Sequence, residues 1–171
     1  MSVGSSFLLT LLYWLHMLAT VAWLGSLSGL ALIFLPAARK SLDLPTYALL
    51  LGRIQPRIQQ VGWMSLFILG ATGMFQMSAN PNYHGLLSID SPWAQAILAK
   101  HIAVFVMVAL SAWNTWGVLP ALHRLTLLRQ AGKTPGSGEQ SRLERQEALL
   151  LNLNLALSVI VLALTAWARS S

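Results

Sequence analysis

Apolar residues gather in four long runs separated by three shorter polar segments, and this alternation dominates the chain. The runs cover about Ser6 to Ala38, Pro56 to Ala79, Pro92 to Leu125 and Ala148 to Trp167. A helix rising 1.5 Å per residue needs roughly 20 apolar residues to cross a hydrocarbon core of about 30 Å. Each run reaches that length, and the first and third exceed it, which predicts tilt or extension into water. The pattern therefore predicts an all-α integral membrane protein: one four-helix bundle over residues 1–171, with spans at 6–38, 56–79, 92–125 and 148–167. The first run is too long, and too poor in leading basic residues, for a cleaved signal peptide. Pro45 to Leu51 reads as a short interfacial helix, and Gly132 to Gly138 as a flexible linker.

The connecting segments differ sharply in charge. Arg39, Lys40, Arg53 and Arg57 cluster around the first, residues 39–55. His123, Arg124, Arg129, Lys133, Arg142 and Arg145 cluster around the third, residues 126–147. The second, residues 80–91, has no Lys or Arg, so nine of the eleven basic residues fall on one side. The positive-inside rule then predicts cytoplasmic loops at 39–55 and 126–147, an outer loop at 80–91, and both termini outside. Most tryptophans (Trp14, Trp63, Trp93, Trp113, Trp116, Trp167) sit in or near the ends of the runs, as interfacial anchors or bundle core.

Composition agrees with this reading and narrows the chemistry. Hydrophobic residues make up 56% of the 171 positions, charged residues 9%, and mean hydropathy is +0.62. A soluble domain carries about a quarter charged residues. The net charge of +6 would suit nucleic acid, but its confinement to loops marks membrane topology instead, with the lipid bilayer as partner. The absence of cysteine excludes disulfides, thiolate metal sites and covalent haem attachment. There is no nucleotide-binding loop, nucleophile elbow or paired carboxylate. Asp43, Asp90, Glu139, Glu144 and Glu147 are expected in loops or at helix ends, so no carboxylate relay through the membrane is expected.

Ionisable groups inside a bilayer are costly and point to function by default. Three qualify: His16 in the first run, and Lys100 and His101 in the third. Counted from the outer ends, both histidines lie roughly 15 Å deep. Two imidazoles at one level on different helices could grip a b-type haem from both faces or hold a copper ion. Each could equally hydrogen-bond a neighbouring helix. Lys100 points away from His101 on the helix and could pair with a haem propionate or snorkel outward. Met74 and Met77 offer soft thioethers one turn apart for copper, or simply fill gaps. His84 and His123 read as a loop residue and a headgroup contact. Asn114, Asn152 and Asn154 read as interhelical hydrogen-bonding groups. Gly25 with Gly29, and Gly70 with Gly73, read as close-packing pairs that would also admit a flat cofactor. The first and third runs share a plan, with a histidine in the outer half and a proline (Pro36, Pro120) near the inner end.

Several of these residues carry a family resemblance. Trp14-Leu15-His16-Met17-Leu18-Ala19 with Trp23-Leu24-Gly25, Thr72-Gly73, Ser91-Pro92-Trp93 and Ala99-Lys100-His101 resemble the copper-resistance D (CopD) family, over roughly Leu11 to Arg124. The architecture is more distantly similar to HemJ-type protoporphyrinogen oxidases, with His16 and Lys100 as the shared features. Phe34-Leu35-Pro36-Ala37-Ala38 lacks that group's arginine and terminal aromatic–histidine pair. The CopD resemblance implies copper handling in the inner (plasma) membrane. Three readings follow. The main one is haem b bound by His16 and His101, with Lys100 at a propionate, for electron transfer, alone, as a homodimer or as a subunit of a larger membrane complex. The alternative is copper transport or homeostasis through His16, His101, Met74 and Met77. The third is a cofactor-free accessory subunit. None makes the chain a stand-alone enzyme.

Overall fold

The computed structural model describes residues 3–42, 44–132 and 138–170. Asp43, Lys133 and most of the expected linker lie outside them. Among the described residues the chain forms four helical rods. The first joins α1 (Val3–Ser28), a π turn (Gly29–Phe34) and α2 (Leu35–Ser41). The second is α3 (Leu44–Ser78). The third joins α4 (Pro92–Trp113), a π turn (Asn114–Val118) and α5 (Leu119–Gln130), and the fourth is α6 (Glu139–Ser170).

Both π turns lie just before a proline, Pro36 and Pro120. Proline has no N–H, and its ring collides with the carbonyl four residues back. Widening the preceding turn accommodates this: Leu35 N–H donates to the Leu30 carbonyl, and Leu119 N–H to that of Asn114. The shared plan of the first and third runs thus becomes a shared backbone feature. The third rod starts where Ser91 caps it, its hydroxyl accepting from Ala94 N–H at 3.1 Å, with Pro92 at the first helical position, where no N–H is needed.

Two boundaries differ from expectation. The short interfacial helix and the second span are one continuous helix running through Pro56. The proline removes one backbone bond, but Tyr47, Leu51 and Ile58 on either side of it pack against Leu30, Leu35 and Leu151, and that packing keeps the two halves in line. The fourth rod begins at Glu139, more than two turns before Ala148. Glu139 complements the dipole of the first turn, and Gln140 donates to Glu144 at 2.6 Å.

Three rods are long and apolar enough to cross a membrane: Phe7–Ala38, Pro92–Arg129 and Glu139–Ser170. The second rod is not among them, because Gln55, Arg57, Gln59, Gln60 and Gln76 confine its apolar stretch to 61–75. The chain is a multi-pass membrane protein, and its exterior shows it. Large apolar side chains such as Phe67, 78% exposed, and Phe105 cover the outside, where a soluble protein would be polar.

The first rod packs along the second and the third along the fourth, with the first also touching the fourth. The second and third meet mainly through side chains. Trp63 stacks on Trp116 with ring centroids 5.4 Å apart, and Gln59 Nε2 donates to Thr115 Oγ1 at 3.5 Å. Where all four rods converge, Trp23, Ala103, Met107 and Val161 form a buried cluster, joined by Leu66 and Leu69 of α3.

The glycine pairs do not act as expected. A Cβ added at Gly25, Gly29 or Gly70 would meet nothing within 4 Å, so no helix packs closely there. Gly73 alone is needed for space: its Cβ would lie 3.3 Å from Cε1 of His16.

Candidate functional site

The apolar cluster divides two polar levels. On each rod its residues fall between a polar position nearer the 80–91 connection, the end predicted to be outer, and others nearer the opposite end, predicted to be inner. His16 precedes Trp23 and then Ser26. Thr72 precedes Leu69 and Leu66, then Gln59, read toward the inner end. His101 precedes Ala103 and Met107, then Ser111 and Asn114. Thr165 precedes Val161, then Asn154.

At the outer level, α1 and α3 are pinned in register by two polar contacts. Gln76 Nε2 donates to the Leu12 carbonyl at 3.1 Å, and one turn deeper His16 Nδ1 lies 2.8 Å from Thr72 Oγ1. The Thr72 hydroxyl proton is already used, since it donates to the Ile68 carbonyl at 2.6 Å. Thr72 Oγ1 can then only accept, so the proton sits on Nδ1 of His16. His101 Nδ1 lies 2.7 Å from the Ile97 carbonyl, an acceptor with no proton to give, so here too Nδ1 carries the hydrogen. A neutral imidazole has one N–H, so in its neutral form each ring presents an unprotonated Nε2. Metal-ligating histidines almost always donate their other ring N–H in this way, which orients the ring and raises its basicity.

Both histidines and Lys100 are half-buried. Lys100 of α4 lies within electrostatic reach of His16, whereas the hydrogen bond of His101 is to Ile97 on its own helix. Met77 is half-buried one turn beyond Gly73, whereas Met74 is 68% exposed on the bundle's outside. Among the described residues, no three His, Cys, Asp or Glu side chains converge. His84 and His123 are exposed. Thr72-Gly73, noted in the sequence only for its resemblance, proves to be the seat of His16: one residue supplies the acceptor and the other the space.

The inner level holds a cavity of about 70 Å³, lined from all four rods. A water occupies about 30 Å³ in the liquid, so the space exceeds a single water. Asn154 donates through Nδ2 to Ser111 Oγ at 3.4 Å, which is the interhelical role expected of it. Asn152 instead faces outward. The Oδ1 atoms of Asn154 and Asn114 are buried and have no hydrogen-bond partner. Each such acceptor costs about 1–3 kcal/mol if left so.

Glu147 is the main correction to the sequence reading. It does not sit at a helix end but within α6, 5% exposed and lining the cavity. Its burial follows from the earlier start of α6. Glu147, Leu150, Leu151, Asn154, Ser158 and Val161 form one buried stripe at helical spacing. Extending that periodicity back from Val161 was the available signal.

Comparison with curated proteins and with solved structures gives no match. The family model described as copper resistance protein D matches residues 52–168, about two thirds of the chain. The matched region differs from the resemblance read in the sequence: it leaves out the first rod with His16 and takes in the fourth. Lys100, His101, Met74, Met77 and the whole α3–α6 part of the inner cavity lie within it. On this match the chain belongs to the copper resistance protein D (CopD) family of membrane proteins, linked to copper resistance.

Proposed function

We propose that the chain serves copper homeostasis by taking a copper ion, as cargo, between His16 and His101 in the outer half of the bundle. The observation that carries this reading is the tautomer of the two rings. Each is held by a hydrogen bond from Nδ1, and each keeps the lone pair of Nε2 for a ligand. Imidazole suits copper, and thioethers suit its reduced form, so in this reading Met77, half-buried one turn beyond Gly73, is the further ligand, and Met74, exposed on the bundle's outside, takes no part. Family membership supports copper over haem as the ligand. In this reading all four rods cross the inner (plasma) membrane, with both termini and residues 80–91 outside, as the basic loops favour. The apolar exterior leaves room for a second copy or other subunits beside lipid.

One observation favours the haem reading instead. The Lys100 ammonium near His16 suits an anionic propionate and opposes a second cation. Purified full-length protein separates the two. Copper binding should fall at least tenfold in His16→Ala and in His101→Ala but stay unchanged in His123→Ala. Equal binding by all three variants would remove the copper site from these residues. A Soret band that shifts on reduction would establish haem in its place.

A further inference from the structure

We infer that the inner cavity is a second, separate binding site, for a single hard monovalent cation of the sodium class. The inference does not depend on what the outer histidines hold. It starts from the imbalance of donors and acceptors around the space. Asn154, 2% exposed, spends an N–H on Ser111 Oγ and leaves Oδ1 unpaired. Asn114 Oδ1 is unpaired on the facing rod. Gln59 spends an N–H on Thr115 Oγ1.

The π turn adds to the surplus. Leu119 N–H goes to the Asn114 carbonyl, so the Thr115 carbonyl loses that donor, and Pro120 has no N–H to replace it. The buried side-chain atoms without a partner at the cavity are both oxygen acceptors, the Oδ1 atoms of Asn114 and Asn154. Water would supply donors, and its own lone pairs would draw on the Ser111 and Thr115 hydroxyls. A cation satisfies oxygens without that demand. Interrupted membrane helices that turn carbonyl oxygens toward an alkali cation follow the same physics.

The lining also selects among cations. It has no imidazole or thioether, so a soft copper ion gains nothing there. Its one carboxylate, Glu147, is already engaged in another interaction, and divalent ions favour several carboxylates. The cluster of Trp23, Ala103, Met107 and Val161 lies between this level and the histidines, so the two sites can be loaded independently.

The test uses full-length protein in micelles, prepared in choline buffer. Radiolabelled sodium should bind saturably at one ion per chain, be displaced by lithium or potassium, and be indifferent to choline. Asn154→Leu should weaken sodium binding at least tenfold and leave copper binding as it was. Asn114→Ala, on the opposite rod, should weaken it in the same direction if the first variant does not fold. Wild-type protein that binds none of the three alkali ions saturably would overturn the inference. So would Asn154→Leu or Asn114→Ala protein, folded, that binds sodium as tightly as wild type. A rise in thermal stability of Asn154→Leu with no sodium dependence in either protein would identify a hydrated structural pocket instead.

Discussion

Thr72→Val is the sharpest perturbation of the outer site. Valine nearly matches threonine in shape at this buried position, so packing changes little. What disappears is the oxygen that accepts from His16 Nδ1 at 2.8 Å. The Ile68 carbonyl loses the hydroxyl contact but keeps a helical N–H donor, so the imidazole is the one group left unsatisfied. An orphaned donor costs about 1–3 kcal/mol, which should appear as lower thermal stability. The ring is then free to turn or to move its proton to Nε2, which would cover the lone pair meant for the metal. Loss of such a supporting bond typically lowers metal affinity about 10–100-fold, or about 1.4–2.8 kcal/mol. Competition against a chromophoric copper(I) chelator under reducing conditions measures the affinity. Nitrogen NMR of labelled histidine reads the tautomer. Thr72→Ser should behave as wild type. A Thr72→Val protein with unchanged affinity and unchanged histidine nitrogen shifts would refute the tautomer reasoning.

Other expectations follow from the same geometry. Gly73→Ala puts a Cβ 3.3 Å from His16 Cε1 and should displace the ring and weaken copper binding, whereas Gly70→Ala, which meets nothing within 4 Å, should preserve binding and gain up to about 1 kcal/mol of helix stability; both are read by titration and thermal melting. Lys100→Met removes a like charge near an incoming cation, an interaction of about 2–4 kcal/mol at separations of about 4–8 Å and an effective dielectric near 20. Copper affinity should rise about tenfold or more, and a fall would favour the propionate role for Lys100. Met107→Ala empties a fully buried position in the cluster between the two polar levels and should cost about 2–5 kcal/mol, measured as a lower unfolding midpoint in one fixed detergent. An unchanged midpoint would show that the cluster is loosely packed.

Hydropathy by itself settled that this chain is all helical and that it inhabits a membrane, and it marked His16, Lys100 and His101 as ionisable groups within apolar runs. Those conclusions are local: they need only the length of a run, the cost of burying charge and the rise of a helix. Residues 52 onward were also enough for family membership. The continuity of α3 through Pro56 was not legible, because packing of Tyr47, Leu51 and Ile58 against the first and fourth rods outweighs the missing backbone bond. Nor was the use of each glycine, since spacing alone does not say whether another helix approaches. The tautomer of His16 depends on where a threonine hydroxyl sends its proton, 56 residues away in the chain. The inner cavity, with Glu147 and two unpaired amide oxygens, exists only because four rods bring their polar stripes to one level. Which polar groups face one another is a property of how helices are arranged in space, and a single chain read end to end carries no distances between its helices.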